Sequence, residues 1–253
     1  MIDPVFHGSK IFLTKDSILD GKIIIFQPKV GYRVAVDPLI LGTYVKVQKN
    51  QKILDVGCGV GVISLILKMK EPTASVFALD MDEDMYHICC RNVEENAQSI
   101  TVINDDLANI NANDVLKTVK FDQIVTNPPF FRTATSRITA TKRRSNFETM
   151  ELFEWISHCF SRLKDRGMFS IIHVAERLDD IIFALRQNKA RAIEIIPIFS
   201  HCGANAKRVV VCCRKNSSSP TKITSGLIMH EASGEYSAAA AEILSGKFLL
   251  PER

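Results

Sequence analysis

Thr126-Asn127-Pro128-Pro129-Phe130-Phe131 holds the residues best suited to chemistry. It follows Phe121-Asp122-Gln123-Ile124-Val125, an apolar, β-branched run that reads as a buried strand. Asn127 therefore sits where the backbone leaves a sheet. The two prolines fix φ and donate no backbone hydrogen bond, and Pro128 drives Asn127 out of the helical region. The product is a stiff turn that brings together an amide side chain, a free carbonyl and an aromatic ring. Such a set can grip a flat group bearing an NH2. The same residues can also be only a strand-ending turn with a core phenylalanine.

A second constellation lies upstream. Asp55-Val56-Gly57-Cys58-Gly59-Val60-Gly61 has glycine at every second position after an apolar strand. Glycines let the backbone approach a ligand closely, and a helix behind them offers free N–H groups at its positive end. Asp80 follows about 20 residues later, where a carboxylate accepts hydrogen bonds from ribose hydroxyls. A dinucleotide fingerprint, Gly-x-Gly-x-x-Gly, fits poorly: counted from Gly57, its third glycine falls on Val62. Asp55 would also repel a pyrophosphate. A cation with an amino acid end and an adenosine end fits better, and S-adenosyl-L-methionine is that ligand. Asp105-Asp106 either reaches the adenine amine or solvates a loop. Met81 and Leu107, next to the acidic residues Asp80 and Asp106, complete the candidate cofactor set.

These residues need a frame. Strands are expected at 53–56, 76–80, 100–103, 121–126, 168–174, 193–196 and 209–212, with helices at 62–69, 83–96, 150–163 and 177–188. Strands spaced by helices imply a parallel sheet with helices on both faces, and ligands of such sheets sit beyond the strands' carboxyl ends. The glycine turn, Asp80, Asp105-Asp106 and Asn127 all fall at such ends. Before this frame, Asp20-Gly21 marks a turn ahead of Ile23-Ile24-Ile25-Phe26. Asp37-Pro38 reads as the N-cap and first position of a helix. After it, Leu227-Ile228-Met229-His230 reads as an edge strand and 236–244 as a helix. The expected layout is one domain over 1–253: a preface (1–50), a core (51–214) and a tail (215–253).

Composition narrows the partners. With 46% hydrophobic and 24% charged residues, the 253-residue chain is of ordinary globular type. A net charge of +4 permits a polyanionic partner without requiring one. Seven cysteines with no Cys-x-x-Cys pair, and six scattered histidines, suggest reduced thiols in a cytoplasm and no metal site. The start lacks a signal-peptide pattern, and no apolar run reaches the roughly 18 residues of a membrane span. Downstream of Phe131, the residues Arg132, Arg137, Lys142, Arg143 and Arg144 precede the next acidic residue, Glu148. A basic loop beside the Asn127 turn can neutralise several phosphates of a polyanion; a solvated loop is the plainer reading.

Asp-x-Gly-x-Gly-x-Gly with Asn-Pro-Pro-Phe resembles the class I methyltransferases that modify amines on flat conjugated systems. The preface narrows the resemblance. Thr14-x-Asp16-x-x-Leu19-x-Gly21, followed by Gln27-Pro28-x-x-Gly31-Tyr32-Arg33-x-x-x-Asp37, is similar to the bacterial tRNA1(Val) adenine-N(6) methyltransferase family. Leu227-Ile228 and Tyr236-Ser237 continue the likeness, so it spans nearly the whole chain. The resemblance implies a Rossmann-like α/β fold with a mostly parallel seven-stranded sheet, helices on both faces and a short N-terminal β/helix preface. It implies S-adenosyl-L-methionine as cofactor and a tRNA substrate; the sequence leaves the oligomeric state open, with a monomer favoured. Asn127, Pro128, Pro129 and Phe130 are then catalytic. Phe131 and the five basic residues are then substrate-binding. Arg33 meets the methionine carboxylate or serves a structural salt bridge. The alternatives are guanine-N(2) methylation of ribosomal RNA and glutamine methylation of a release factor. The fifty-residue preface is too short and too β-like for the second.

Overall fold

The seven long strands stand side by side in the order Ala190–Phe199, Ala206–Lys215, Leu163–Val174, Phe121–Thr126, Lys52–Val56, Ser75–Asp80 and Ile100–Asn104. The computed structural model describes residues 11–31, 33–129 and 150–247. The preface gives β1 (Leu13–Ile18), β2 (Ile23–Pro28) and α1 (Val36–Tyr44). The alternating core follows as β3 (Lys52–Val56), α2 (Val62–Lys70), β4 (Ser75–Asp80), α3 (Glu83–Glu95), β5 (Ile100–Asn104), β6 (Phe121–Thr126), α4 (Leu152–Arg162), β7 (Leu163–Val174) and α5 (Leu178–Gln187). It closes with β8 (Ala190–Phe199) and β9 (Ala206–Lys215), and the tail adds β10 (Lys222–Ile223), β11 (Leu227–Ile228) and α6 (Ala238–Leu244).

Strands β3 to β7 pair in parallel, while β9 runs antiparallel between β7 and β8. The two-residue strands β10 and β11 extend the outer edge of β8. The expected mostly parallel seven-stranded sheet is therefore the frame, with two short additions. The β11 addition falls within the expected edge strand.

Both faces of the central strands are covered, so they read as continuous apolar runs. Successive residues point to opposite faces. Leu54, Val56 and Ile124 join Leu152, Trp155 and Ile156 of α4 and Ile181 of α5. Ile53 and Val125 join Ile40 and Leu41 of α1 and Ile63 and Leu67 of α2. Each fully buried aliphatic side chain of this kind stabilises the fold by about 1.5–3 kcal/mol.

The β1–β2 hairpin lies on α3 and is held there by two asparagines one helical turn apart. Asn92 accepts from the Phe26 N–H (2.6 Å) and donates to the carbonyls of Phe26 (3.0 Å) and Val60 (2.9 Å). Asn96 accepts from the Ile24 N–H (2.9 Å) and donates to its carbonyl (2.7 Å). Asn92 thus couples the preface to the glycine turn itself.

Several boundaries differ from expectation. Helix α1 starts at Val36 with Ala35 at its N-cap, and Asp37 in its first turn pairs with Arg208 at 2.8 Å. A long-range ion pair has taken the carboxylate from its expected capping role. Strand β7 begins at Leu163 rather than Met168, where its pairing with β6 shifts register between Phe121 and Gln123. Strands β8 and β9 each span 10 residues, because the ladder between them continues past the expected ends, on the β9 side through Arg208, Arg214 and Lys215. Helix α6 begins at Ala238, with the Ser237 hydroxyl capping the Ala240 N–H.

Candidate active site at the carboxyl edge of the sheet

Strand register gathers the candidate residues. Val56 lies opposite Leu79 on one side and Thr126 on the other, and Asp80 lies opposite Asn104. Gly57, Asp80, Asp105 and Asn127 therefore stand at the carboxyl ends of four adjacent strands. An open cleft of about 430 Å³, mouth included, lies there. Gly57, Asp80, Met81, Asp106 and Leu107 of the candidate set line it, joined by Val56, Leu79, Asp105, Met150 and Trp155.

The glycine turn is tight for identifiable reasons. Gly57 has φ +68 and sits under Trp155: a Cβ there would lie 3.2 Å from the indole. Gly61 has φ +88, and its Cβ would come within 2.6 Å of the Cys89 thiol. At both positions a side chain meets backbone strain and a neighbour at once. Gly59, between them, donates its N–H to Asp80 Oδ2 at 2.7 Å.

Asp80 is nearly buried yet lines the cleft. Its other oxygen accepts from the Asp82 N–H at 3.0 Å. Burial raises its pKa to about 6, against the lowering effect of hydrogen bonds from Asp82, Gly59 and Met81. Asp55 stands behind the turn, fully buried and not among the cleft-lining residues. Its Oδ2 accepts from both the N–H (3.0 Å) and the hydroxyl (2.7 Å) of Ser64, which ties β3 to α2. Its Oδ1 is buried with no hydrogen-bond partner among the described residues. Desolvation raises this carboxyl to about 7.

Asp105 accepts from Asn109 (2.9 Å) and Asn113 (2.7 Å), and these bonds outweigh burial and hold its pKa down. It organises the loop. Asp106 caps the turn that follows, accepting from the Ala108 N–H at 2.9 Å, and faces the same cleft. Arg33 lies apart from the cleft lining. It pairs with Asp16 at 3.2 Å and donates to Thr14 Oγ1 at 3.1 Å, while Gln27 donates to the same Asp16 oxygen at 2.8 Å. Thr14, Asp16, Gln27 and Arg33 thus form one polar clamp across the hairpin. The salt bridge expected as one of the two roles of Arg33 is thus present.

Thr126 locks the catalytic turn to its neighbour. Its hydroxyl donates to the Val56 carbonyl at 2.8 Å and accepts from Trp155 Nε1 at 3.1 Å. Asn127 and Pro129 are half-buried, and Pro128 is buried. Trp155 was not anticipated. Its one sequence signal is that it is the sole tryptophan, placed early in the helix after Asn-Pro-Pro-Phe. Phe130, Phe131, Arg132, Arg137, Lys142, Arg143 and Arg144 lie outside the described residues. Among the described residues, no group of three or more His, Cys, Asp or Glu is placed to hold a metal. Nor is any helix among them long and apolar enough to cross a membrane.

Comparison with known proteins fits this geometry. Residues 37–147 match the model of the methyltransferase small domain. A tRNA1(Val) (adenine(37)-N6)-methyltransferase of Actinobacillus pleuropneumoniae is 22% identical, over 90% of this chain and 95% of its own. One of the same name from Bacteroides thetaiotaomicron is 25% identical, over 86% and 92%. Another from Pasteurella multocida is 32% identical over 57% of this chain and 61% of its own. Among solved structures, a predicted O-methyltransferase of Agrobacterium tumefaciens superposes with TM-score 0.67 at 21% identity, covering 83% of this chain and 96% of that one. The T. thermophilus 16S rRNA N2 G1207 methyltransferase, in complex with AdoMet and guanosine, gives 0.53 at 19% identity, over 80% and 50%.

Proposed function

We propose that this chain, a class I methyltransferase whose residues 37–147 match the methyltransferase small domain, transfers the methyl group of S-adenosyl-L-methionine to the exocyclic N6 of an adenine in the anticodon loop of tRNA. The observation that carries the reading is the register that sets Asn127-Pro128-Pro129 beside the glycine turn, on one edge with Asp80. The names of the full-length relatives support the choice of adenine and of tRNA.

The cleft suits the cofactor. Glycines at 57, 59 and 61 let the backbone come close, Asp80 offers a carboxylate to ribose hydroxyls, and Asp106 and Leu107 flank a flat base. Bound there, S-adenosyl-L-methionine supplies a methyl group on a sulfonium, already activated for displacement. The chain's own work is then positioning and electrostatics.

The adenine amine is a poor nucleophile because its lone pair is delocalised into the ring. The Asn127 side-chain oxygen and the Pro128 carbonyl accept its two hydrogens. That favours a pyramidal nitrogen with its lone pair directed at the methyl carbon. With the cofactor bound, the amine held in this way would take the methyl group from the sulfonium and give up its surplus proton to water. The Thr126 hydroxyl, held by Val56 and Trp155, fixes the start of the turn so that the amide is already aimed. Phe130 stacks on the flipped base. Phe131, Arg132, Arg137, Lys142, Arg143 and Arg144 meet the RNA around it, the cations through phosphates. Unstacking is cheapest in a loop, which favours the anticodon loop over a helix.

Preface, core and tail work as one domain in this reading, since the hairpin lies on α3 and α6 lies against α1. The proposed unit is a monomer, acting on tRNA in the cytoplasm.

The test is transfer of labelled methyl from S-adenosyl-L-methionine to bacterial tRNA, followed by nucleoside digestion and mass analysis. N6-methyladenosine is the expected product. Methylguanosine, or label that appears only with ribosomal RNA or protein added, contradicts the tRNA adenine assignment.

A further inference from the structure

The carboxyl edge carries a second feature that methyl transfer itself does not use. Strand β8 runs the same way as β6 and β7, because β7 and β8 are both antiparallel to β9. The segments after β8 and β11 therefore emerge on the edge that holds Asn127. There, His201, His230 and Tyr236 form a column of rings. His230 and Tyr236 are stacked, with centroids 4.8 Å apart and planes 23° from parallel. His201 and His230 follow at 5.7 Å and 33°. The central ring is half-buried, whereas His201 is exposed and Tyr236 is 47% exposed.

The backbone holds the column in place. The Met229 N–H donates to the Phe199 carbonyl (2.8 Å), the His230 N–H to Ser200 (3.0 Å) and the Ser237 N–H to Met229 (2.9 Å). His230 and Tyr236 face each other across an antiparallel bridge. The Ser237 hydroxyl closes the turn on the Ile228 carbonyl at 2.6 Å. Rings fixed this way are held at the surface, with both outer members, His201 and Tyr236, exposed.

We infer that this column is a stacking platform for a nucleobase of the RNA that flanks the methylated adenine, with Tyr236 as its outer ring. The inference rests on the RNA reading above and deepens it. Neighbouring strands lie about 4.8 Å apart, so the three steps from β6 to β8 place His201 roughly 14 Å along the edge from Asn127, and the fourth step, to β11, places His230 and Tyr236 roughly 19 Å along it. A single strand of a few nucleotides spans that distance. Flipping one base out of a loop unstacks its neighbours, and an aromatic face takes up such a neighbour whatever its sequence. The charges at the site favour bases over phosphates: Lys207 opens β9 nearby, but Glu231 and Glu235 occupy the platform's own turn. What this surface offers is a ring face.

The test is steady-state methylation of tRNA by the wild type, Tyr236→Ala, Tyr236→Phe and His201→Ala, with cofactor binding measured in parallel. Tyr236→Ala is expected to raise the KM for tRNA roughly 5- to 100-fold, the range of one base–aromatic stack. Its kcat and its affinity for S-adenosyl-L-methionine should stay within about twofold, and Tyr236→Phe should restore KM, since stacking needs the ring and not the hydroxyl. An unchanged KM in a wild type that methylates tRNA overturns the platform and leaves the activity standing. Should Tyr236→Ala also lose cofactor binding, the exposed His201→Ala decides: a raised KM supports the platform, an unchanged one overturns it. A wild type that methylates no tRNA removes the RNA reading and the platform with it.

Discussion

Two clefts sit on opposite edges of the sheet, and the larger is not the one that gathers the candidate residues. The one at the carboxyl edge measures about 430 Å³. The other, of about 970 Å³, lies toward the amino ends of β7 and β8, between Met168, Ser170, Glu194, Cys212, Arg214 and Lys222. In the larger cleft the charged groups answer one another. Glu194 pairs with Lys222 at 3.2 Å and accepts from the Tyr44 hydroxyl at 3.3 Å. The smaller one is lined from three adjacent strand ends, by Gly57 at positive φ, the raised carboxyl of Asp80 and the Asp105-Asp106 pair, and the Asn127 turn begins on the next strand of the same edge. Volume is a by-product of packing. Convergence of polar groups beyond the strand ends follows from parallel topology, and it is what a ligand needs.

The most severe way to break this contrast is at Asn127. Asn127→Ala should lower the single-turnover rate of methyl transfer by about 10²–10³-fold, the cost of losing one preorganised partner of the reacting group. Cofactor affinity should hold, because the assigned role is to the amine alone. An unchanged rate would remove the amide from the chemistry.

The next effect is at Asp80, and it carries a pH signature. Its folded pKa of about 6 lies above the ordinary 3.8, so the folded chain holds this proton more tightly than the unfolded one does. The unliganded protein should therefore lose stability as the pH rises from about 4 to about 6, and Asp80→Asn should flatten that fall, read as thermal midpoints across pH. Asp55, raised to about 7 by burial, continues the same trend in both proteins. Ribose hydroxyls donate to the ionised carboxylate, so wild-type affinity for S-adenosyl-L-methionine should strengthen through pH 6. In Asp80→Asn it should be about tenfold weaker at pH 8 and nearly level with pH. A titration in which both proteins follow the same pH curve would take Asp80 out of the cofactor site.

The smallest effect sharpens the contrast from the other side. Lys222→Ala, at the larger cleft, should leave methyl transfer and cofactor affinity within about twofold. Its pair with Glu194 is half exposed on the lysine side, so stability should change by only about 0–1 kcal/mol. A large loss of activity in this variant would mean that the amino-edge cleft takes part.

Much of this was legible in the chain, and the reason is local. Apolar runs mark where strands end, and a parallel sheet collects those ends on one edge. Asp55 to Gly61, Asp80 and Asn127 could thus be assigned to one place before any contact was known. What could not be read depends on distant neighbours. Asp37 looks like a cap until Arg208, 171 residues on, takes its carboxylate. Arg33 shows nothing in sequence of the Asp16 and Thr14 side chains that come across the hairpin to meet it. Trp155 is an ordinary core residue by type. Only the packing of α4 under the sheet brings its N–H to Thr126 and its ring over Gly57. Asn92 and Asn96, a turn apart on α3, become a clamp only once β2 lies beside them.

If the smaller, carboxyl-edge cleft holds the cofactor beside Asn127, the structure of the complex with S-adenosylhomocysteine will show it. Ribose hydroxyls are expected on the Asp80 carboxylate, the adenine ring between Asp106 and Leu107, and the sulfur directed toward Asn127. A ligand seated between Glu194 and Arg214, or one that leaves Asp80 untouched, would contradict it.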